Sequence, residues 1–229
     1  MQAIQRFSLS VSTATVAIMF VIIEYLVPMF QASAIPTTVS QLIPFATAAQ
    51  LAEASKLGLT ALATFGTYKL LAGILIKTID RVPYLKSFIF GPSYVEGTWI
   101  GQFRDNNNQP KWTVEHFEQN LDGIVIRGYA HNQDGTQYAS WTSTAASVDY
   151  ARGILTYTYG CDVIGHKNSQ QGIGVFQFER RVAEKAPTAI KGYSTDLVDG
   201  VRSTNHEYKI SNVSISIDEA LKQAHTRFG

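Results

Sequence analysis

Aromatic rings and basic side chains at strand spacing are the residues of this chain with chemistry to offer. Tyr157 and Tyr159 stand two apart, as do Tyr193 and Thr195, and Arg127, Arg152, Lys191 and Arg202 lie on similar runs. Rings of this kind stack nucleobases at roughly 1–3 kcal/mol per base, and arginine grips phosphate through two parallel N–H bonds. Together they suggest a nucleotide site formed by Arg127, Tyr157, Tyr159, Lys191, Tyr193, Thr195 and Arg202, with Trp99 as a candidate floor. The plainer alternative is that tyrosine suits half-buried pleated surfaces and that the basic residues are solvated strand ends.

Catalytic patterns are sparse. The chain has no Gly-x-Ser-x-Gly and no phosphate-binding Gly-rich loop, and spacing alone recommends no carboxylate pair. His116 beside Glu115 and Glu118 reads as a surface cluster. The five histidines lack ligand spacing such as HExxH, and the single Cys161 fits a reducing compartment and no cysteine metal cluster. A binding protein without metal or cofactor is expected, rather than an enzyme.

The elements that must carry these residues follow from hydrophobic period. From Tyr94 onward it is two, over Val95–Phe103, Trp112–Gln119, Gly123–Asn132, Thr136–Asp149, Ile154–Asp162, Gly172–Arg180, Ala189–Asp196 and Val201–Ser211. Turn chemistry separates them, as in Asp122-Gly123, Asn132-Gln133-Asp134-Gly135, Arg152-Gly153 and Asp199-Gly200. Eight strands joined mostly by short hairpins predict an antiparallel up-and-down β-barrel, closed on itself and enclosing side chains or one small ligand. Alternation puts Gly97, Trp99, Gly101 and Phe103 on one face of the first strand. Ile217–Phe228, capped by Ser216 or Asp218, carries an apolar stripe of Ala220, Leu221, Ala224 and Phe228 and predicts a short final helix.

Upstream the chain changes character. It is 45% hydrophobic and only 16% charged, and the excess falls in roughly the first ninety residues. Two runs, about 9–30 and 57–79, are long enough to cross a bilayer as helices, at about 1.5 Å per residue. This sets a membrane region at 1–92 and a barrel at 93–229, divided near Gly91-Pro92. Lys77, Arg81 and Lys86 crowd the exit of the second run and Arg6 precedes the first, so both termini are expected in the cytoplasm. The rival readings are a cleaved signal peptide ending at Gln31-Ala32-Ser33-Ala34 and, for the second run, a buried core helix. Ala32–Ser55 is then an extracytoplasmic connection with a helical piece from Ala46, and Tyr84, Phe88 and Phe90 beyond the second run are expected interfacial anchors. Glu24 and Lys69 are charges at membrane depth; in an antiparallel hairpin they differ in depth by roughly 10 Å, so a direct pair within one subunit is not expected: Lys69 can snorkel, and Glu24 either faces another subunit or a wet path or is a carboxyl near the outer interface. Gly58, Gly66 and Gly73 could permit close helix approach between subunits, the plainer alternative being that Gly is frequent in spans. A net charge of +1 argues against nonspecific nucleic-acid binding.

Two spans, a basic exit, and a barrel opening Tyr94-Val95-Glu96-Gly97-Thr98-Trp99-Ile100-Gly101 resemble the two-transmembrane β-barrel effectors of bacterial cyclic-oligonucleotide antiphage signalling (CBASS). The resemblance covers nearly the whole chain at the level of architecture; the Gly-x-Trp-x-Gly opening is similar to that of lipocalin-like barrels as well. It implies a multi-pass protein of the bacterial inner membrane whose barrel senses a cyclic dinucleotide made by a partner cyclic-oligonucleotide synthase. Binding would drive homo-oligomerisation of the spans and disrupt the bilayer. Two other functions are compatible with a tethered barrel: carriage of an apolar molecule or lipid, which needs a pocket of Phe, Ile and Val, and protein binding by an adaptor.

Overall fold

The computed structural model describes residues 3–26, 48–105, 107–149, 151–165, 169–180, 185–198 and 200–229. They form two compact units, Ala3–Arg81 and Val82–Gly229. Residues 32–47 of the expected connection at 32–55, the signal-peptidase site at 31–34 and the end of the first run beyond residue 26 lie outside the described residues, whereas 48–55 are the start of the helix Ala48–Arg81.

The first unit holds helix α1 (Ala3–Val21), a π-helical turn at Ile22–Leu26 and helix α2 (Ala48–Arg81). Neither Gly nor Pro interrupts α1. Hydroxyls that would be costly in an apolar setting bond back to the helix: Thr15 Oγ1 donates to the Val11 carbonyl at 2.8 Å, and Thr64 and Thr78 donate to Thr60 and Ile74 at 2.7 Å. Within the unit α1 packs on α2, where Ser12, Thr15 and Val16 share a groove with Thr60, Thr64 and Tyr68. Leu9, Phe20, Leu62 and Leu70 are all more than half exposed. Phe7–Glu24 and Thr60–Arg81 are therefore two helices long and apolar enough to cross a membrane, with few of their side chains buried in protein.

The second unit starts at Val82, ahead of the expected Gly91-Pro92 boundary. Helix α3 (Pro83–Phe90) takes Pro83 in its first turn, where a missing N–H costs nothing, and a 3₁₀ turn follows at Gly91–Ser93. Lys86 Nζ reaches Glu96 Oε2 at 2.7 Å and Ile89 and Phe90 are buried, which ties α3 to the strand that follows. Phe90 is thus a packed residue and not the expected surface anchor, whereas Tyr84 and Phe88 are exposed.

The barrel consists of β1 (Gly97–Arg104), β2 (Pro110–Gln119), β3 (Ile124–His131), β4 (Gln137–Asp149), β5 (Ile154–Val163), β6 (Gln170–Glu179), β7 (Ala189–Asp196) and β8 (Arg202–Ser211), closed in sequence order with every neighbour antiparallel. The expected strands, their order and their closure match this architecture. Gly135 and Gly153 supply the positive φ values their turns require, 84° and 68°.

The half of the interior nearest the start of β1 is filled by side chains. Trp99 is fully buried, donates its indole N–H to the Val95 carbonyl at 2.8 Å and stacks on Phe117 with ring centroids 5.3 Å apart. Ile126, Leu155, Phe176, Phe178 and Ile190 complete this plug. Outside, helix α4 (Ile217–Phe228) lays Ala220 and Ala224 on Ile100, Trp112 and Val114, and Ser216 caps it by accepting from the Glu219 N–H at 3.3 Å.

Candidate ligand site

Above the Trp99 plug the barrel is hollow. A cavity of about 160 Å³ is lined by Phe103, Thr113, Glu115, Trp141, Tyr157, Tyr159 and Asn205 among others, and it opens at the end where β1 meets β2 and β7 meets β8. The volume matches one aromatic ring system, since a dry engineered cavity of about 150 Å³ holds benzene. A drug-sized ligand needs about 300–1,000 Å³.

The rings are seated by glycine. Gly128 pairs with Trp141, Gly172 with Tyr159 and Gly174 with Tyr157 across neighbouring strands. A methyl group at any of the three would collide with the ring opposite. Because Gly128 also faces Glu115 on β2, the Trp141 indole crosses the vacant position and donates to Glu115 Oε1 at 2.8 Å. Tyr157 donates its hydroxyl to the same oxygen at 3.3 Å. On the other side Gly101 leaves room for Glu207 and Thr113.

Glu115 and Glu207 are each 1% exposed. Burial raises the Glu115 carboxyl above its ordinary range, and bonds from Glu207, Trp141 and Tyr157 oppose that rise. Burial pushes Glu207 up much further, and the neighbouring Glu115 charge adds to it. Donors to Glu115 favour its ionised form while Glu207 has none, so the pair holds one proton, carried by Glu207 and shared toward Glu115. Without that proton Glu115 Oε2 and both Glu207 oxygens are acceptors lacking a donor, as is Asn205 Oδ1. Burial also pushes the Tyr159 phenol up to about 12 and the Cys161 thiol up to about 11, so both stay neutral at physiological pH. Beneath, Lys209 faces the Tyr94 ring at 4.3 Å, and burial brings its ammonium down to about 8.

One side of the mouth is split. The β1–β8 ladder ends at Gln102↔His206, although β1 continues to Arg104 and β8 begins at Arg202. Between these tips lies an open cleft of about 760 Å³ that shares Phe103, Asp105, Val201 and Ser203 with the cavity and is also lined by Arg104 and Arg202. Arg104 Nη1 donates to the Asn108 carbonyl at 2.8 Å, and the Arg202 guanidinium lies 3.2 Å from the Tyr193 ring centroid. That stacking uses the face of the guanidinium and leaves its N–H edge for an anion.

The sequence-derived residues therefore divide. Tyr157 and Tyr159 line the cavity and Trp99 closes it below. Arg202 lines the cleft, whereas Tyr193, on whose ring its guanidinium lies, lines neither space. Arg127, Lys191 and Thr195 alternate out of register with the inward residues of β3 and β7 and line neither space; Arg127 pairs with Glu118 on the outer wall. Glu115 is a correction: His116 and Glu118 face outward, but Glu115 points inward, because adjacent strand residues take opposite faces. Lys69 lies over the Phe65 ring at 4.7 Å, and Glu24, Gly66 and Gly73 are exposed in their unit, with open space where a methyl on either glycine would sit.

Comparison with protein-family profiles, curated protein sequences and solved structures found no match.

Proposed function

We propose that this chain is a membrane-tethered receptor for a nucleotide second messenger, acting as an antiphage effector of the CBASS kind. The observation that carries this reading is the continuity of a ring-sized cavity with a cleft bearing two arginines. A base enters between Tyr157, Tyr159 and Trp141, and the ribose-phosphate ring of a cyclic dinucleotide stays in the cleft beside Arg104 and Arg202. The size of the cavity supports this division, since it admits one base and not the whole ligand. The lipid reading asks for an apolar lining, and here Thr113, Glu115, Ser194, Ser203 and Asn205 interrupt it. Cys161, half-buried with its thiol kept protonated, is a poor nucleophile, which favours binding over catalysis.

In this reading α1 and α2 span the inner membrane with both termini cytoplasmic, and ligand-bound chains assemble through them. A ligand that binds the assembled state better shifts the population toward it. Exposed Gly66 and Gly73 supply close-packing surface for that assembly, and Glu24 faces a neighbouring subunit.

The test is thermal stability of the full chain in detergent against a panel of cyclic di- and trinucleotides. A ligand at about a hundred times its dissociation constant adds about 2.7 kcal/mol. A shift with one nucleotide, lost in the R104A/R202A double variant, is the expected result. A folded protein that responds to none of the panel, or a shift that survives the double variant, refutes the assignment.

A further inference from the structure

The carboxyl pair leaves one net negative charge buried in the barrel without a counter-ion. Glu115 and Glu207, each 1% exposed, share a single proton, and neither forms an ion pair among the described residues. Lys209, two residues beyond Glu207 on β8, stands 4.3 Å from the Tyr94 ring centroid and 5.9 Å from that of Trp99, and its Nζ bonds to neither carboxyl. Buried charge is ordinarily paired, because an opposite charge close by is what offsets its desolvation. Among the described residues no Lys, Arg or His lines the cavity, whereas Glu115 and Asp196 do, as does Asp105, which Lys111 already pairs at 3.1 Å.

The charge reaches the cavity through its rings. Phe103, Tyr138, Trp141, Tyr157 and Tyr159 all line it, and two of the five are bonded to Glu115 Oε1: the Trp141 indole N–H donates at 2.8 Å and the Tyr157 hydroxyl at 3.3 Å. Donation to a carboxylate polarises a ring and makes its face more negative. Negative ring faces in a desolvated pocket attract cations, quaternary ammonium among them. One wall already does so, since the Lys111 ammonium lies 4.8 Å from the Tyr138 ring centroid. Glu115 Oε2 is covered and Oε1 is taken, so a cation that needs hydrogen bonds from the carboxylate is poorly served. A methylated ammonium needs none. Its trimethyl head has about the bulk of benzene, which a dry cavity of about 150 Å³ holds, and this cavity measures about 160 Å³.

We propose that the cavity binds a quaternary ammonium group, its trimethyl head held by the rings of Trp141, Tyr157 and Tyr159 against the buried charge of Glu115. The proposal stands apart from the nucleotide reading and adds a regulator to it, because a cation seated there excludes a base. The same chemistry is carried by free choline and by the phosphocholine head of a lipid, which adds a phosphate for the cleft of Arg104 and Arg202.

The experiment titrates the full chain in a maltoside detergent, without nucleotide, with choline, phosphocholine and 3,3-dimethyl-1-butanol, the uncharged carbon isostere of choline. Tryptophan emission reports binding, Trp141 being part of the cavity wall. Choline is expected to bind at least about tenfold more tightly than the isostere, and E115Q, which removes the buried charge, is expected to erase that preference. Thermal unfolding shows whether E115Q folds; if it does not, Y159L is expected to narrow the preference by about threefold or more through loss of one ring. Phosphocholine binding more tightly than choline, with the gain lost in R104A/R202A, supports the site and assigns it to a lipid head; no gain from the phosphate supports it and assigns it to a free solute. Equal binding of choline and the isostere, or a preference that survives in folded E115Q, overturns the proposal. So does a failure of all three to bind, and the nucleotide panel then decides the nucleotide reading on its own.

Discussion

Replacing Glu207 by glutamine tests whether the barrel holds a shared proton. In the unfolded chain both carboxyls titrate near 4.3, whereas in the fold burial raises Glu115 and raises Glu207 well above that range. A raised folded pKa means that the native state binds the extra proton. The stability it brings is fully present below about pH 4.3 and is lost as pH climbs toward the folded pKa, at about 1.4 kcal/mol per pH unit while one proton separates the two states. With a urea dependence of about 1–3 kcal/mol per molar, that is a fall in midpoint of roughly 0.5–1.4 M per pH unit. Other groups tilt the curve the opposite way. His116 and His131 are depressed by burial, so the unfolded chain binds their protons more tightly and stability rises with pH approaching 6.5; Lys209, brought down to about 8, acts likewise between about 8 and 10.5. The difference between wild type and E207Q removes these shared contributions. The amide also donates to Glu115 Oε2, so the variant needs no proton there. All three tryptophans lie in the barrel, at 99, 112 and 141, so their fluorescence follows barrel unfolding of the full chain in mild detergent. Stability of E207Q relative to wild type should climb steadily from pH 5. Parallel curves for the two proteins from pH 5 upward would show that no proton is shared, and the Glu115/Glu207 pairing would have to be abandoned.

E96Q removes the partner of Lys86, both side chains being mostly buried at 10% and 17% exposure, and should cost about 3–5 kcal/mol of barrel stability in urea titration. A loss under 1 kcal/mol would mean that water screens the pair. S216A deletes the cap of α4 and should lower stability by about 1 kcal/mol, with faster amide exchange confined to the first turn of that helix. G66L/G73L should abolish ligand-induced cross-linking between chains while leaving the barrel's unfolding midpoint unchanged, because a Cβ at either position meets nothing among the described residues. Undiminished cross-linking would take the two glycines out of the assembly surface.

The barrel was legible because its period is short and its turns are marked. Alternation over eight runs, with Gly135 and Gly153 where a left-handed residue is needed, determines strand order once the chain must abolish its edges. Alternation says which residues share a face and not which face is inside. For Tyr157 and Tyr159 the inward side followed, but on β7 the residues with recognisable chemistry, Lys191, Tyr193 and Thr195, alternate with the inward Ser194 and Asp196. The signal that was present and unused is the glycine opposite each ring. Gly172 and Gly174 mirror Tyr159 and Tyr157 at the same spacing of two, and Gly128 meets Trp141 across one hairpin. The Glu115/Glu207 pair left no such trace. Its members lie on β2 and β8, far apart in sequence, and meet only because β1 sits between them with Gly101.

Charge dictates how a nucleotide would enter. The hollow carries Glu115 and Glu207, which share one proton, with Asp105 and Asp196 at the rim, while Asp105 is offset by Lys111 at 3.1 Å. A phosphate pushed inward would meet carboxylates in a poorly solvated space, where like charges a few ångströms apart repel by about 4 kcal/mol even at an effective dielectric of 20. A neutral base meets no such barrier and gains ring stacking on the way in. The cleft offers the converse: Arg104 and Arg202 are exposed, solvated and separated from the carboxyl pair by the depth of the cavity. The same split predicts selectivity by ligand topology. A linear dinucleotide with a terminal phosphate monoester brings an extra charge with no third arginine lining the cleft, so it should bind more weakly than the cyclic form, and the gap should narrow with added salt as the repulsion is screened.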